Sequence, residues 1–247
     1  MFGVRGLKKP RCQMANRPVF KTSHDTPFVS EVNTEFEFHP GFSIQQKQRS
    51  ITSLHESFLK DYPALRVLEI SSKSNFELGA RLSAFNLMIH QPGVGDYSVE
   101  SAFQASKVFE LGGPFQDLLG VSSRDAKRDS RLRSSGQLLG FKFFSREFPL
   151  EPKTYFYDWL YASTLWRKQD LLREVVQFDA FTDIEYNPKK SFNCQARSVA
   201  KVVGLWRRNL LAAALETPEK FLMLGYPERQ KESAGDNEDE ARQDSLF

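Results

Sequence analysis

Residues 97–110 read YSVESAFQASKVFE, and this stretch carries the strongest pattern in the chain. A helix over it places Glu100, Gln104 and Lys107 at i, i+4 and i+7, within an arc of roughly 60°. As far as Phe109, the other faces of that helix carry apolar or small residues. So thin a polar stripe is typical of a buried helix whose polar groups face a cavity. A solvated edge, on which Glu100 and Lys107 meet other partners, explains the spacing equally well.

The composition is that of an ordinary globular protein, with 247 residues of which 40% are hydrophobic and 26% charged. This length suits one sizeable core, and we predict a single domain over residues 15–226. No apolar run reaches the roughly 18 residues that a membrane helix needs. Only Cys12 and Cys194 are available for a disulfide, so we expect a cytoplasmic protein. The few cysteines and histidines show no metal-ligand spacing, and we expect neither metal nor cofactor.

The two ends of the chain differ in charge. Residues 1–21 contain six Lys or Arg and no acid, whereas the last twenty or so residues are acidic and poor in large apolar groups. We therefore predict a disordered basic start over residues 1–14 and a disordered acidic tail over 227–247. Met14 is an alternative start of the protein, and the favoured one. Without its ends the chain is nearly neutral, so nucleic acid is expected to meet only a local patch.

Between the ends, the pattern predicts a mainly helical α+β domain with a few short strands. Ser50 is placed to cap the first clear helix. The predicted elements are helices over residues 51–60, 155–176 and 194–208, a strand over 66–70 and a hairpin or core edge over 141–148.

Polar and aromatic residues near these elements form a second group of candidates. Asn193 is placed to cap the helix 194–208, whose first amides, with Arg197 nearby, suit a phosphate. An ordinary capped helix facing water explains that pattern as well. Trp159 suits stacking on a base at a cavity rim, although core packing is the commoner fate of such a residue. Asp183 lies in a predicted turn.

Several common catalytic motifs are missing from the sequence. It has no GxGxxG, GxxxxGK[ST], HExxH or GxSxG, which removes the usual dinucleotide, P-loop, zinc-protease and serine-hydrolase interpretations. The remaining candidates are acids, an amine and amides. Such a set suits proton transfer and sugar chemistry better than redox chemistry.

The stretch 97–110 resembles the signature of the NADAR (YbiA-like) family. In that family a Glu opens a helix and is followed by an aromatic residue, Gln, a small residue and Lys. The matching residues here are Glu100, Phe103, Gln104, Ala105 and Lys107. Residues 83–87, SAFNL, resemble the block that precedes this helix, and Asp183 with Asn193 resembles the family's late block.

One branch of the family is more similar still, namely the NADAR antitoxins partnered with guanine-modifying DarT toxins. The resemblance spans roughly residues 16–210. Its blocks are LEISSKS at 68–74, LSAFNL at 82–87, FQASKVFE at 103–110 with GGP at 112–114, FYDWLY at 156–161, FTDIE at 181–185, NPKKS at 187–191 and NCQAR at 193–197.

This resemblance implies a predominantly helical YbiA-like α+β fold and an enzyme that hydrolyses an N-glycosidic bond. The implied substrate is ADP-ribosylated guanine in DNA, expected to be single-stranded, and the implied role is that of an antitoxin to a DarT-type ADP-ribosyltransferase. Catalytic roles are expected for Glu100, Lys107 and Asp183. Substrate contacts are expected at Ser83, Asn86, Gln104, Trp159, Asn193 and Arg197.

Two mechanisms stay open at this point. In the first, the Lys107 amine displaces the base from an opened ribose, with Glu100 carrying protons. In the second, Lys107 is a fixed charge while Glu100 or Asp183 activates water. In the first mechanism, the burial of Lys107 must lower its pKa by more than the attraction to Glu100 raises it.

Two other functions also stay open. One is an N-glycosidase that acts on ribosylamines of the riboflavin pathway, and the other is a non-catalytic ADP-ribose reader or toxin-binding module.

Overall fold

A long β-hairpin opens the fold in the computed structural model, which describes residues 13–227. Strands β1 (Gln13–Thr22) and β2 (Val29–Phe38) pair antiparallel without a break from Gln13 opposite Phe38 to Thr22 opposite Val29. Helix α1 (Ile44–Asp61) packs on this hairpin and forms a small core with it. The apolar side chains of that core include Val19, Phe36, Ile51, Leu54 and Phe58.

Two short strands complete a four-stranded sheet in the order β2-β1-β9-β3. Strand β3 (Val67–Glu69) runs parallel to β9 (Ala180–Thr182), and Glu69 lies opposite Thr182. The chain leaves the sheet directly after Thr182, so this pairing places Asp183 at the sheet's end, beside Glu69.

The segment between β3 and β9 contains the signature stretch. Helix α2 (Glu77–Arg81) leads to a hairpin of β4 (Met88–Gln91) and β5 (Gly95–Ser98), and α3 (Val99–Ala105) follows. The chain then forms a three-stranded sheet in the order β6-β7-β8. Its strands are β6 (Lys107–Phe109), β7 (Leu138–Phe143) and β8 (Arg146–Phe148). A 3-10 helix (Gln116–Gly120), α4 (Ser123–Arg128) and α5 (Arg131–Ser134) lie between β6 and β7.

The second half of the chain supplies the main core. Its helices are α6 (Tyr155–Trp166), α7 (Gln169–Val175), α8 (Gln195–Arg207), α9 (Leu211–Ala214) and α10 (Pro218–Gly225). Helices α6 and α8 pack on each other, and both are buried over most of their length. The core therefore lies between these helices, α3 and the sheets.

The α+β class is confirmed, but the prediction of a predominantly helical domain is not supported, because the described residues contain nine strands in three sheets beside the helices. Two strands of ten residues each were not predicted, although residues 32–38 of β2 show the alternation of a half-buried strand. The strand at 66–70 and the hairpin at 141–148 are both present.

Three predicted helix boundaries were wrong. Helix α1 begins before Ser50, because Ser43 caps it and forms a capping box with Gln46. The helix predicted over 155–176 ends at Trp166, and α7 starts after a turn that lets Leu171, Leu172 and Val175 reach the core. Helix α8 begins at Gln195, with Cys194 rather than Asn193 in the N-cap position.

The predicted disordered ends fall mostly outside residues 13–227. Within those residues the prediction fails for Gln13 and Met14, which belong to β1, with Met14 opposite Glu37. No helix among residues 13–227 combines the length and the apolar character needed to cross a membrane.

Candidate active site

A cavity of about 750 Å³ opens where α3, β6, β7 and the loop between β9 and α8 meet. Five of the residues predicted to form the site line it. They are Glu100, Gln104, Lys107, Asp183 and Asn193. Gln195, which the sequence reading did not single out, also lines this cavity.

Glu100 and Gln104 are the polar residues that α3 contributes to the cavity wall, beside Phe103. Ser98 caps this helix by accepting a hydrogen bond from the Ser101 amide. The predicted i, i+4 relation holds, since Gln104 Nε2 donates to Glu100 Oε1 at 2.8 Å. Both side chains are about 95% buried, with exposed fractions of 4% and 5%. Gln104 Oε1 is buried and has no hydrogen-bond partner among residues 13–227, so this wall keeps an unused acceptor beside the Glu100 carboxylate.

Lys107 reaches the cavity from a strand, and its predicted place on the helix was wrong. Helix α3 ends at Ala105, and the Ser106 hydroxyl donates back to the Ala102 carbonyl at 2.7 Å. Lys107 then opens β6 and pairs with Phe141. Gly113, at φ +91°, folds back so closely that a Cβ there would lie 2.2 Å from the Lys107 carbonyl oxygen. Only glycine fits such a turn, and the turn holds β6 in place.

The Lys107 amine is not ion-paired with any carboxylate of residues 13–227. Glu100 Oε1 pairs instead with Lys127 Nζ at 3.4 Å, and Lys107 Nζ lies 4.9 Å from the centre of the Phe103 ring. Burial lowers the pKa of Lys107 to about 8, although Glu100 acts in the opposite direction. Burial therefore outweighs the attraction, and about one amine in ten is neutral at pH 7.

Asp183 forms the opposite wall. Its Oδ1 accepts a hydrogen bond from the Glu185 amide and its Oδ2 accepts one from Gln195 Nε2, both at 3.0 Å. Burial and the neighbouring Glu69 carboxylate raise the pKa of Asp183 to about 8. At neutral pH this carboxyl group keeps its proton and is suited to donate it.

Gln195 connects two walls of the cavity. Besides donating to Asp183, it accepts hydrogen bonds through Oε1 from the Ala84 amide at 2.7 Å and from Ser83 Oγ at 3.4 Å. Ser83 thus lies behind Gln195 and does not line the cavity. Asn193, expected to cap α8, instead lines the cavity, and its buried Oδ1 has no partner in the part of the chain that the structure describes. The NCQAR block contained the signal for Gln195, which is the first residue of α8.

Besides Ser83, three predicted contact residues lie away from the cavity. The Asn86 side chain is exposed and donates to the Ala80 carbonyl. Trp159 packs in the core, with its ring 4.9 Å from that of Phe148. Arg197 donates to Thr154 and pairs with the buried Asp158 at 3.3 Å, so its charge is used in the protein interior rather than on a ligand.

The rim of the cavity carries an aromatic residue that the sequence reading missed. Phe192 is 64% exposed, and Lys153 Nζ lies 4.3 Å from its ring centre. The other basic residues along the cavity are Lys127, Arg133 and Lys190, and Glu151 and Glu185 are acidic residues there. A cationic and aromatic rim thus surrounds a floor of acids, amides and one amine.

Among residues 13–227, no group of three or more His, Cys, Asp or Glu side chains could hold a metal ion.

Fold and cavity together define an α+β domain with an acid and an amine facing one ligand-sized space. The chain belongs to the family of DarT1-associated NADAR antitoxins, because the sequence model of that family matches residues 15–235. A comparison with curated proteins finds no match. The family assignment agrees with the resemblance drawn from the signature residues.

Proposed function

We propose that this antitoxin is an ADP-ribosylglycohydrolase that removes ADP-ribose from guanine bases in DNA and so reverses the action of a DarT-type toxin. The observation that carries the proposal is the convergence of Lys107, Glu100 and Asp183 on one cavity although they come from a strand, a helix and a loop. The cavity volume of about 750 Å³ lies within the range of roughly 300–1,000 Å³ that is usual for ligand sites.

The rim suits the two ends of such a substrate. Arg133, Lys153 and Lys190 supply positive charge for the diphosphate and for the phosphates of the strand. The exposed Phe192 ring offers a stacking surface for an unpaired base, which every base can use because each has a flat π face. Single-stranded DNA meets these features more easily than a duplex, in which the bases are already stacked.

The reaction starts with Asp183 as the acid. Its proton moves to the ribose ring oxygen, the bond from C1′ to that oxygen breaks, and the lone pair of the guanine amine forms a C1′ iminium. This step needs a carboxyl group that is protonated at neutral pH, as the raised pKa of Asp183 provides. Stabilisation of the iminium by the Glu100 carboxylate lowers the barrier.

The neutral Lys107 amine then adds to C1′. Glu100 carries the proton from the lysine nitrogen to the guanine nitrogen, guanine leaves, and C1′ is joined to Lys107 as an imine. Water adds to C1′ and the amine departs with a proton. The freed sugar closes its ring, and the ammonium returns the proton to Asp183, so the cycle consumes one water and ends with the starting protonation states.

Direct attack by water, with Lys107 as a fixed charge, is the alternative mechanism. Borohydride added during turnover distinguishes the two, because it reduces an imine to a stable amine. We expect an added mass on the peptide that contains Lys107. An unmodified Lys107 peptide under confirmed turnover would favour attack by water.

The proposed function is tested by release of free ADP-ribose from a short strand with one modified guanine. Lys107→Ala is expected to abolish release. Lys142→Ala is a matched control, since Lys142 lies outside the cavity and pairs with Glu147 at the surface. Equal release by both variants, with unchanged circular dichroism, would contradict the assignment.

A further inference from the structure

Glu69 is a fully buried carboxylate, with an exposed fraction of 0%, that the proposed reaction does not use. No cation of residues 13–227 pairs with it. Its side chain instead accepts a hydrogen bond from Thr182 Oγ1 at 2.6 Å and one from the Ile184 amide at 2.9 Å. These two donors flank Asp183 in sequence, so Glu69 holds the backbone on both sides of the residue that faces the cavity. A buried charge is costly, and such a placement indicates a role beyond packing.

The hydrogen bonds continue from Thr182 to α1. His55 Nε2 lies 2.8 Å from Thr182 Oγ1. Burial lowers the pKa of His55 to about 4, so its ring is neutral at neutral pH. Thr182 has a single hydroxyl proton, and while it gives that proton to Glu69, His55 must donate through Nε2–H. Burial raises the pKa of Glu69 as well, but three donors oppose this rise, namely the Thr182 hydroxyl, the Ile184 amide and the Ser71 hydroxyl. Asp183 accepts only two hydrogen bonds, so Glu69 is the carboxyl group of the pair that keeps the negative charge.

We propose that Glu69, supported by Thr182 and His55, is a positioning residue that fixes Asp183 at the cavity wall and keeps it in its proton-donating form. The destination of that proton, the ribose ring oxygen, rests on the proposed function. The arrangement itself rests on the hydrogen bonds and the pairing of β3 with β9.

Electrostatics gives the reason why Glu69 controls the proton on Asp183. A second negative charge beside Glu69 is unfavourable, so the charged Glu69 raises the pKa of Asp183 in addition to burial. The other titratable groups near Asp183 are Glu185 and Tyr186 of its own loop, Tyr157 and Tyr161 of α6, Cys194 before α8, and Glu100 and Lys107 across the cavity.

Among these groups, Glu69 is the main source of charge repulsion on Asp183. Burial raises the pKa values of Tyr157, Tyr161 and Cys194, and all three stay neutral through the relevant range. Glu185 is paired with Lys47 at 2.9 Å, which reduces its repulsion of Asp183.

The test follows the titration of the Asp183 carboxyl carbon by ¹³C NMR in the full chain, with the signal assigned through Asp183→Asn. We expect a midpoint near pH 8 in the wild type. Glu69→Gln keeps the shape of the side chain but removes the charge, and is expected to lower the midpoint by roughly one pH unit or more. An unchanged midpoint in this variant would overturn the proposal.

A matched pair of variants decides the question should Glu69→Gln fail to fold. Thr182→Val removes the hydroxyl that supports Glu69, whereas Thr182→Ser keeps it and removes only a methyl group. The Asp183 midpoint should fall in the first variant and stay at the wild-type value in the second. Equal midpoints in the two variants would overturn the proposal.

The pH dependence of ADP-ribose release tests the same variants independently. The alkaline limb of the pH profile for ADP-ribose release should move to lower pH in Glu69→Gln and Thr182→Val, together with the NMR midpoint. A wild type that releases no ADP-ribose would contradict the proposed function, while the NMR titration would still decide the role of Glu69.

Discussion

Release of ADP-ribose is expected to follow a bell-shaped pH profile with its maximum near pH 8. The mechanism requires Lys107 as a neutral amine and Asp183 as a protonated acid. Burial lowers the pKa of Lys107 to about 8, and burial with the Glu69 charge raises the pKa of Asp183 to about 8. Lys107 therefore becomes active as pH rises through 8, while Asp183 becomes inactive over the same interval.

The size of the effect follows from these two pKa values. At pH 8 half of each group is in the required form, so about one quarter of the molecules carry both. At pH 6 or pH 10 only about one molecule in a hundred does, which predicts a loss of roughly 25-fold on each side of the maximum. Lys107 and Asp183 interact within one cavity, so the acidic and alkaline limbs of the profile report their coupled titration. A variant of either residue should mainly shift the limb that its own titration produces.

The assay is the initial rate at saturating modified strand, from about pH 6 to pH 10 at constant ionic strength, because salt screens the rim charges. Circular dichroism at each pH controls for unfolding. Full activity maintained down to pH 6 would refute the reasoning, since Lys107 would then work as an ammonium ion and the imine route would be excluded.

Three further predictions concern single residues. Gln195→Ala should lower the free energy of unfolding by roughly 1–3 kcal/mol, because the buried Ala84 amide loses its acceptor; chemical denaturation measures this. Phe192→Ala should raise KM for the modified strand about tenfold and keep kcat, since base stacking contributes roughly 1–3 kcal/mol. Phe76 is exposed to a similar extent but lies outside the cavity, so Phe76→Ala should change neither. Asp183 has a raised pKa in the folded state, so its stabilising contribution is complete below about pH 4 and is lost as pH rises through 8. Asp183→Asn should therefore gain stability relative to the wild type between these pH values in thermal melts, and a constant difference would argue against the raised pKa.

Local patterns predicted the parts of the site that lie within one element. The spacing of Glu100 and Gln104 was enough to place both on one face of α3, because a helix fixes the i, i+4 relation. The strand at 66–70 and the hairpin at 141–148 followed from alternation and composition in the same way.

The remaining parts depend on contacts between distant segments. Helical spacing alone could not show that the chain turns after Ala105, because the turn is held by Gly113 and by the pairing of Lys107 with Phe141. Trp159 was a candidate for the rim, with core packing as the commoner alternative, and its ring does pack in the core. Phe192, which is exposed at the rim, carried no such signal in the sequence.

The long hairpin β1–β2 was missed although part of it has a local signal. Residues 32–38 alternate between apolar or β-branched and polar residues, which is typical of a half-buried strand, whereas the pairing of β2 with β1 and its packing on α1 depend on distant contacts. The sequence did not indicate Glu69 as a functional candidate, because only the parallel pairing of β3 with β9 brings Glu69 next to Asp183.

The central claim is catalytic removal of ADP-ribose from guanine in DNA, and counting turnovers tests it most directly. A single-stranded oligonucleotide with one ADP-ribosylated guanine is incubated with a hundredfold smaller amount of the full chain, and free ADP-ribose and unmodified strand are quantified together. We predict complete conversion, with equal amounts of the two products. Release limited to one equivalent per protein, or tight binding of the modified strand without release, would contradict an enzyme and identify a binding protein.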